Sequence, residues 1–278
     1  MNNYVDGKVI IITGAAGGFG SVLSSKAAQL GGRIVCTDIN EESLQVIVQE
    51  IVAAGGTARG IHADVSDADS MRNLVSQTLD EYGQVDVLIN NAGTMPLAFF
   101  SDHQQASEAW DRCIDINFKG VLNGITAVYD HMLAKGRGHI VNISSIYGKY
   151  PSAGGAVYGA TKAAVDFLSE SLRQECPGKI KVTTVRPAAA GGTGLVATVI
   201  NPAACVGLMG ANAEPYMEMI MASAEGTLPE EKTDIANPEY FLLGPEEIAD
   251  QILYAINQPW GLSLGEITIR ATGELSVI

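Results

Sequence analysis

The chain alternates short, nearly continuous apolar runs with longer stretches in which apolar positions recur every three to four residues. Val9-Ile10-Ile11-Ile12, Val85-Asp86-Val87-Leu88-Ile89 and Ile140-Val141-Asn142-Ile143 are runs of the first kind. Strands covered on both faces read this way, as in a parallel sheet. Strands are predicted at 8–13, 33–38, 57–62, 85–90, 139–144, 181–186 and 266–270. The amphipathic stretches predict helices at 18–30, 41–54, 67–82, 107–134, 158–174 and 245–257. Two helix starts carry visible signals. Ser66-Asp67-Ala68-Asp69 supplies a capping side chain and first-turn acids, and Gly244-Pro245 places proline near the first helical position. This alternation predicts an α/β fold, a doubly wound parallel sheet of about seven strands with helices on both faces and right-handed crossovers.

The rhythm breaks between 188 and 243. Pro202, Pro215, Pro229, Pro238, several glycines and Met209, Met217, Met219 and Met221 crowd this stretch. A long irregular segment inside a compact domain suggests a substrate-binding lid. The methionines suit either an adaptable apolar lining or ordinary helix-face packing. With no linker or repeat, 1–278 reads as one domain.

Composition narrows the class. The 278 residues are 47% hydrophobic and 17% charged, which suits a well-buried core and not disorder. A net charge of −14 without a Lys/Arg cluster points away from nucleic acid and anionic membrane. Cys36, Cys113, Cys176 and Cys205 lack Cys-x-x-Cys spacing, and the four histidines lack paired spacing, so reduced thiols and no metal site are expected. The N-terminus has no basic region, and Val9–Ile12 is too short for a signal peptide or membrane span, so the cytoplasm is the expected location.

The first strand runs into Thr13-Gly14-Ala15-Ala16-Gly17-Gly18-Phe19-Gly20 and then a helix. Gly14 permits a tight turn, Gly18 backbone approach to a pyrophosphate, and Gly20 close packing of helix on strand, the arrangement of a Rossmann-type dinucleotide site. The helix N-terminus offers unpaired N–H groups to phosphates. Asp38 ends the next strand, where a carboxylate can accept from the adenosine ribose hydroxyls and would repel a 2′-phosphate. Its neighbours Ile39 and Asn40, and Ala15 and Ala16 in the turn, include no Arg or Lys, so NAD is expected rather than NADP. Taken alone, Asp38 would equally suit a turn or cap before Glu41.

Tyr158 and Lys162 are four residues apart and would share one helix face. A neighbouring cation lowers a phenol from its usual pKa of about 10, giving an acid/base usable near neutral pH. By itself the pair suits a solvated helix face equally well.

Together these residues resemble the short-chain dehydrogenase/reductase family in its short, single-domain branch. The glycine turn is similar to Thr-Gly-x-x-x-Gly-x-Gly, Asn90-Asn91-Ala92-Gly93 to Asn-Asn-Ala-Gly, Ser144-Ser145 to a strand-end serine pair, and Tyr158…Lys162 to Tyr-x-x-x-Lys, with Asn117 at the helix asparagine. The resemblance implies an NAD-dependent alcohol dehydrogenase or carbonyl reductase. It implies that Ser145, rather than Ser144, bonds the reacting oxygen and Tyr158 exchanges its proton. Lys162 would tune the phenol and bond the nicotinamide ribose, and Asn117 would complete a proton relay through water. It implies cofactor contacts at Gly14, Gly18, Phe19 and Gly20, at Asp64 and Val65 beside the adenine, at Asn91, Ala92 and Gly93, and at Pro187, Ala190 and Thr193 near the carboxamide. It also implies pairing of the two long central helices and a second contact through the last helix and strand, giving a homotetramer or homodimer; Leu275-Ser276-Val277-Ile278 could pack there. The chain departs from the pattern at Pro187-Ala188-Ala189-Ala190-Gly191-Gly192-Thr193, where alanine replaces the glycine after proline and the threonine comes one residue late.

Met95, Tyr147 and Tyr150 are expected to line the substrate pocket with Ser145 and Tyr158, together with Ile146, Gly154 and Val157, which suggests an apolar or aromatic secondary alcohol or ketone. Lid acids such as Glu214 and Glu218 leave room for a cationic amino alcohol. Two other readings compete. A non-catalytic NAD-binding sensor predicts erosion of Ser145, Tyr158, Lys162 or Asn117. A sugar-nucleotide epimerase or dehydratase predicts a Gly-x-x-Gly-x-x-Gly turn and a larger C-terminal domain. None of those four residues is eroded; Gly14, Gly17 and Gly20 also satisfy the second turn spacing, but no larger C-terminal domain is expected.

Overall fold

The computed structural model describes residues 2–276. In chain order the elements are β1 Val9–Thr13, α1 Gly18–Gln29, β2 Arg33–Asp38, α2 Glu41–Ala53, β3 Thr57–His62, α3 Ala68–Tyr82, β4 Val87–Asn90, α4 His103–Ile114, α5 Gly120–Lys135, β5 Gly138–Ile143, α6 Ala156–Glu175, β6 Ile180–Pro187, α7 Ala213–Glu225, α8 Glu230–Thr233, α9 Pro245–Ile256 and β7 Glu266–Ile269. The strands form one sheet in the order β3-β2-β1-β4-β5-β6-β7 with every pairing parallel. The chain reverses its direction across the sheet between β1 and β4. That switch point opens a crevice at the carboxyl ends of the strands, where ligands bind in such sheets.

Alternation within each apolar run feeds two cores. Ile10 and Ile12 of β1 pack with Phe19, Leu23 and Ala27 of α1 and Ile248, Ile252 and Ile256 of α9. Val9 and Ile11 face the other way, toward Met71 and Leu74 of α3, Val121, Ile125 and Val128 of α5, and Val165 and Leu172 of α6. Each fully buried aliphatic contributes about 1.5–3 kcal/mol. Asp67 caps α3 by accepting from Asp69 N at 2.8 Å, and Glu247 accepts from Gly244 N at 2.8 Å at the start of α9.

Two expectations need correction. The single helix expected at 107–134 is α4 and α5 joined by a π-helical turn, Asp115–Lys119, with α4 beginning at His103. The widened turn carries Asn117, wholly buried, whose carboxamide bonds the backbone of Thr94. The stretch 188–243 is not without regular structure: it holds α7, α8 and several short 3-10 turns. Pro215 is tolerated because it lies in the first turn of α7, where N–H groups need no intrahelical partner. Strand limits shift slightly: β4 starts at Val87, leaving the Asp86 carboxylate to accept from Val9 N at 2.9 Å.

No helix among the described residues is long and apolar enough to cross a membrane. Cys36, Cys113 and Cys176 are buried, Cys205 is partly exposed, and all four are free. Val277 and Ile278 lie outside the described residues. Leu275 packs within its own chain, against the cluster of Ile146, Leu208 and Met209, and its carbonyl accepts from Asn212 Nδ2 at 3.0 Å.

Candidate active site

The glycine turn comes first in the chain. Gly14 (φ 67°) and Gly18 (φ 54°) occupy the left-handed region that glycine adopts without strain. A Cβ on Gly20 would lie 2.1 Å from the Gly14 carbonyl, so α1 packs directly on the turn, as expected. A Cβ on Gly18 would lie 2.7 Å from the Thr193 carbonyl. Gly18 therefore also accommodates the 188–194 loop, in addition to the backbone approach expected of it. Gly17 precedes α1 without a side-chain cap, and no acid sits in the first turn. The helix start, with Phe19 buried behind it, thus leaves donors and a positive dipole end for an anion.

Asp38 faces this turn. Its Oδ2 accepts from Ala16 N and its Oδ1 from Asn40 N, both at 3.0 Å. Asn40, not Asp38, caps α2 by accepting from Ser43 N. Asn91 donates to the carbonyls of Thr13 (2.8 Å) and Gly14 (3.1 Å), while Asn91 N and Ala92 N both donate to Thr13 Oγ1 at 3.0 Å. These bonds lock the end of β4 to the glycine turn. Asp64 accepts from Ser66, stabilising its own turn, and Val65 packs where Gly120 lacks a Cβ. An adenosine diphosphate fits this donor set: an uncapped helix start for the phosphates and a fixed carboxylate for the ribose.

Asn117, Ser145, Tyr158 and Lys162 converge beyond the ends of β4 and β5. All are buried. Ser144 N donates to Val185 O at 2.7 Å and its hydroxyl to Lys162 O at 3.2 Å, so Ser144 ties β5 to its neighbours. Ser145 turns instead to the Tyr158 phenol. Lys162 Nζ donates to Ile143 O at 2.8 Å and sits 5.8 Å from the Tyr158 ring centroid. A Cβ on Gly93 would lie 3.3 Å from Asn117 Oδ1 and 3.7 Å from Lys162 Nζ, so the Asn-Ala-Gly turn reaches the same point. Asn117 Oδ1 accepts from Thr94 N at 2.9 Å. Its Nδ2 donates to Thr94 O at 2.9 Å and lies 3.2 Å from both Cys113 Sγ and Thr161 Oγ1.

The titration differs from expectation. Burial pushes the Tyr158 phenol up to about 12, with the Ser145 hydrogen bond pulling the other way. Burial pulls Lys162 down to about 8. The ammonium lies toward the ring and is held by a backbone carbonyl, so desolvation outweighs its pull on the phenol. At neutral pH the pair is a phenol beside an ammonium, the state that can donate a proton.

Among the expected substrate contacts, Met95 and Tyr147 join Tyr158 in one apolar cluster. Tyr147 stacks edge-on against Tyr158 with ring centroids 5.6 Å apart. Tyr150 sits one step away, with Ile146, Leu208 and Met209. The 188–243 segment supplies contacts the sequence reading missed: Val199, Ala204 and Cys205 complete the wall, with Leu97 and Phe99. Of the lid methionines Met209 is buried, whereas Met217 and Met221 are 37% and 59% exposed on α7. Glu214 and Glu218 are exposed on α7. Ala190 pairs with Leu243, and the Thr193 hydroxyl accepts from Leu195 N at 3.2 Å, two residues on. Pro187 ends β6, and Ala188 N donates to Ile269 O at 2.9 Å. Cys113, Thr94 and Thr161 were also missed. Cys113 precedes Asn117 by four residues and Thr161 follows Tyr158 by three, a helical spacing that could have flagged them.

Comparison with known proteins finds relatives along most of the chain. The model of the short chain dehydrogenase family matches residues 8–202. An uncharacterized oxidoreductase of Listeria innocua is 35% identical over 268 residues, 96% of this chain and 98% of its own length. A 2,5-dichloro-2,5-cyclohexadiene-1,4-diol dehydrogenase of Sphingobium indicum is 37% identical over 188 residues, 67% of this chain and 74% of that protein. Among solved structures, a short chain dehydrogenase/reductase from Burkholderia phymatum in complex with NAD superposes with a TM-score of 0.75 at 25% identity, covering 96% of this chain and 90% of that one. The closed form of a serine dehydrogenase complexed with NADP+ gives 0.76 at 27% identity, covering 94% of each chain. From the glycine turn to Lys162, the chain belongs to the short-chain dehydrogenase/reductase family and is an oxidoreductase.

Proposed function

We propose that this oxidoreductase interconverts an apolar secondary alcohol and the corresponding ketone with NAD, using Tyr158 as acid/base. The observation that carries the reading is the convergence of Ser145, Tyr158, Lys162 and Asn117 in one buried site beside the glycine turn. A nicotinamide bound there would supply or accept the hydride. Gly14, Gly18, Phe19 and Gly20 would hold the pyrophosphate, with Asp38 on the adenosine ribose. Asp64 and Val65 would flank the adenine, and Asn91, Ala92 and Gly93 would line the ribose. Pro187, Ala190 and Thr193 would border the carboxamide.

The protein's own steps follow from charge. In reduction, Ser145 donates to the ketone oxygen and orients it, and Tyr158 gives that oxygen its proton. Lys162, charged, stabilises the phenolate left behind. In oxidation the proton returns to Tyr158. Asn117, pinned by Thr94, holds the π-helical turn beside Lys162, from which the proton leaves through water.

Asp38 supports NAD over NADP, because its carboxylate, bonded to Ala16 N and Asn40 N, would repel a 2′-phosphate. The apolar wall around Tyr158 supports an apolar substrate, and the exposed Glu214 and Glu218 of α7 are the candidate counter-charges for a cationic amino alcohol. A relative acting on a cyclic diol supports a ring alcohol. A homo-oligomer located in the cytoplasm is part of the same reading. The test is a screen of secondary alcohols with NAD and with NADP, following absorbance of the reduced cofactor. Turnover is expected with NAD in clear excess over NADP. Tyr158→Phe is expected to lose at least about a hundredfold in kcat; full turnover by that variant would overturn the mechanism.

A further inference from the structure

Lys162 is enclosed, and the acceptor of its ammonium, Ile143 O at 2.8 Å, is neutral. α6 places Asp166 four residues on, one turn along the same face. Asp166 Oδ2 accepts from Arg186 Nε at 2.8 Å, and its Oδ1 is buried without a partner. Arg186, itself buried, is gripped from the far side by both carboxylate oxygens of Glu266 at 2.9 and 3.1 Å. Arg186 thus divides one positive charge between two carboxylates. Asp166 presents a carboxylate oxygen that has no hydrogen-bond partner among the described residues, one helical turn from Lys162.

We propose that Asp166 is a positioning residue for the reaction: its carboxylate, shared with Arg186, keeps the Lys162 ammonium charged and sets the pH range over which the Tyr158–Lys162 pair works. The inference rests on the acid/base reading above. The groups around Lys162 leave Asp166 as its anion. Burial lowers Lys162, and Cys113 and Asp166 oppose that fall. Cys113, on α4, is pushed up to about 11 by burial, so at pH 7–8 it is a neutral thiol with no charge to offer. Tyr158 is likewise neutral there, its phenol pushed up to about 12 by burial. From β6 comes Arg186, and behind it on β7 Glu266, which also faces Arg173 and Lys149.

The sign follows. A carboxylate near Lys162 raises its pKa, so removing the charge makes the lysine deprotonate at lower pH. Ketone reduction needs Lys162 charged and Tyr158 protonated, so its rate falls as pH rises through the lysine pKa. The experiment is the pH profile of kcat for reduction of the best ketone of the screen by NADH. In Asp166→Asn the alkaline limb is expected to move down by about half a pH unit, roughly a twofold loss at pH 8 against little at pH 6.5. Asp166→Glu restores the limb. Arg186→Gln, which frees the carboxylate of its competing cation, moves it up. An Asp166→Asn limb that stays in place overturns the proposal, as does a downward move in Arg186→Gln, which is read even if Asp166→Asn does not fold. A merely structural role would lower the rate equally at every pH. If instead Tyr158→Phe turns over normally in the same assay, it is the acid/base reading that fails.

Discussion

Desolvation sets protonation at several single residues of this sheet, and its sign can be tested away from the site. His139 on β5 is fully enclosed, and its Nε2 lies 2.8 Å from Thr183 Oγ1, which donates to Leu264 O at 2.6 Å. Burial, then Lys181 and Lys8, lower its pKa to about 3. An unfolded histidine titrates near 6.5, so below that pH the unfolded chain binds a proton that the native chain refuses. Stability contributed by neutral His139 is complete above about pH 6.5 and is lost as pH falls toward 3. Between pH 6.5 and 5 this one group should cost about 2 kcal/mol. Urea unfolding at both pH values checks it, with His139→Gln expected to flatten the difference. An equal pH dependence in the variant would show that other groups carry the effect.

At the scale of elements, the lid is where sequence and structure part. The strands, the glycine turn and the Tyr158–Lys162 helix were legible because their signals are local: apolar runs, glycines at fixed offsets, an i,i+4 pair. Most partners of Asn117 and most of the wall around Tyr158 were not, because they are distant in the chain: Asn117 meets Thr94 from the segment after β4 and Thr161 from α6, and Ala204 reaches Tyr158 from beyond β6. Ile200 N and Asn201 N both donate to Leu97 O, at 3.1 and 3.0 Å, and Asn201 Nδ2 donates to Asp102 Oδ2 at 2.9 Å. The lid is thereby tied to the segment after β4, and Ala204 sits where a Cβ on Gly154 would come within 2.4 Å. No periodicity could announce that a fully buried alanine and a glycine set the closing distance. Enlarging Ala204 should therefore hold the lid off the site. Ala204→Leu is expected to cost about 1–3 kcal/mol of closure, lowering kcat/KM roughly tenfold or more while α1, β1 and cofactor binding stay intact. Unchanged kcat/KM would mean that this contact does not govern closure.

For the whole molecule, one apolar face lies open among the described residues. α5 and α6 flank an open groove of about 400 Å³ lined by Leu122, Ile125, Tyr129, Leu168 and Leu172, with Glu175 at its margin. Phe167 on the same helix α6 is 78% exposed and Leu122 37% exposed. Exposed aromatics beside an apolar groove commonly mark an association surface. The residues behind the groove are those that place the site: α6 carries Tyr158 and Lys162, and α5 continues from the Asn117 turn. A second copy pairing its own α5 and α6 here would make an isologous contact and hold both helices against their sheets. Light scattering should then give a mass that is a multiple of 29.2 kDa. Phe167→Asp places a charge in the contact and is expected to shift the population toward the single chain, with kcat falling as the helices lose support. A wild-type mass of one chain at micromolar concentration would refute the pairing. A mutant that dissociates yet keeps full kcat would separate assembly from catalysis, leaving α6 rigid enough by itself to hold Tyr158 and Lys162 in place.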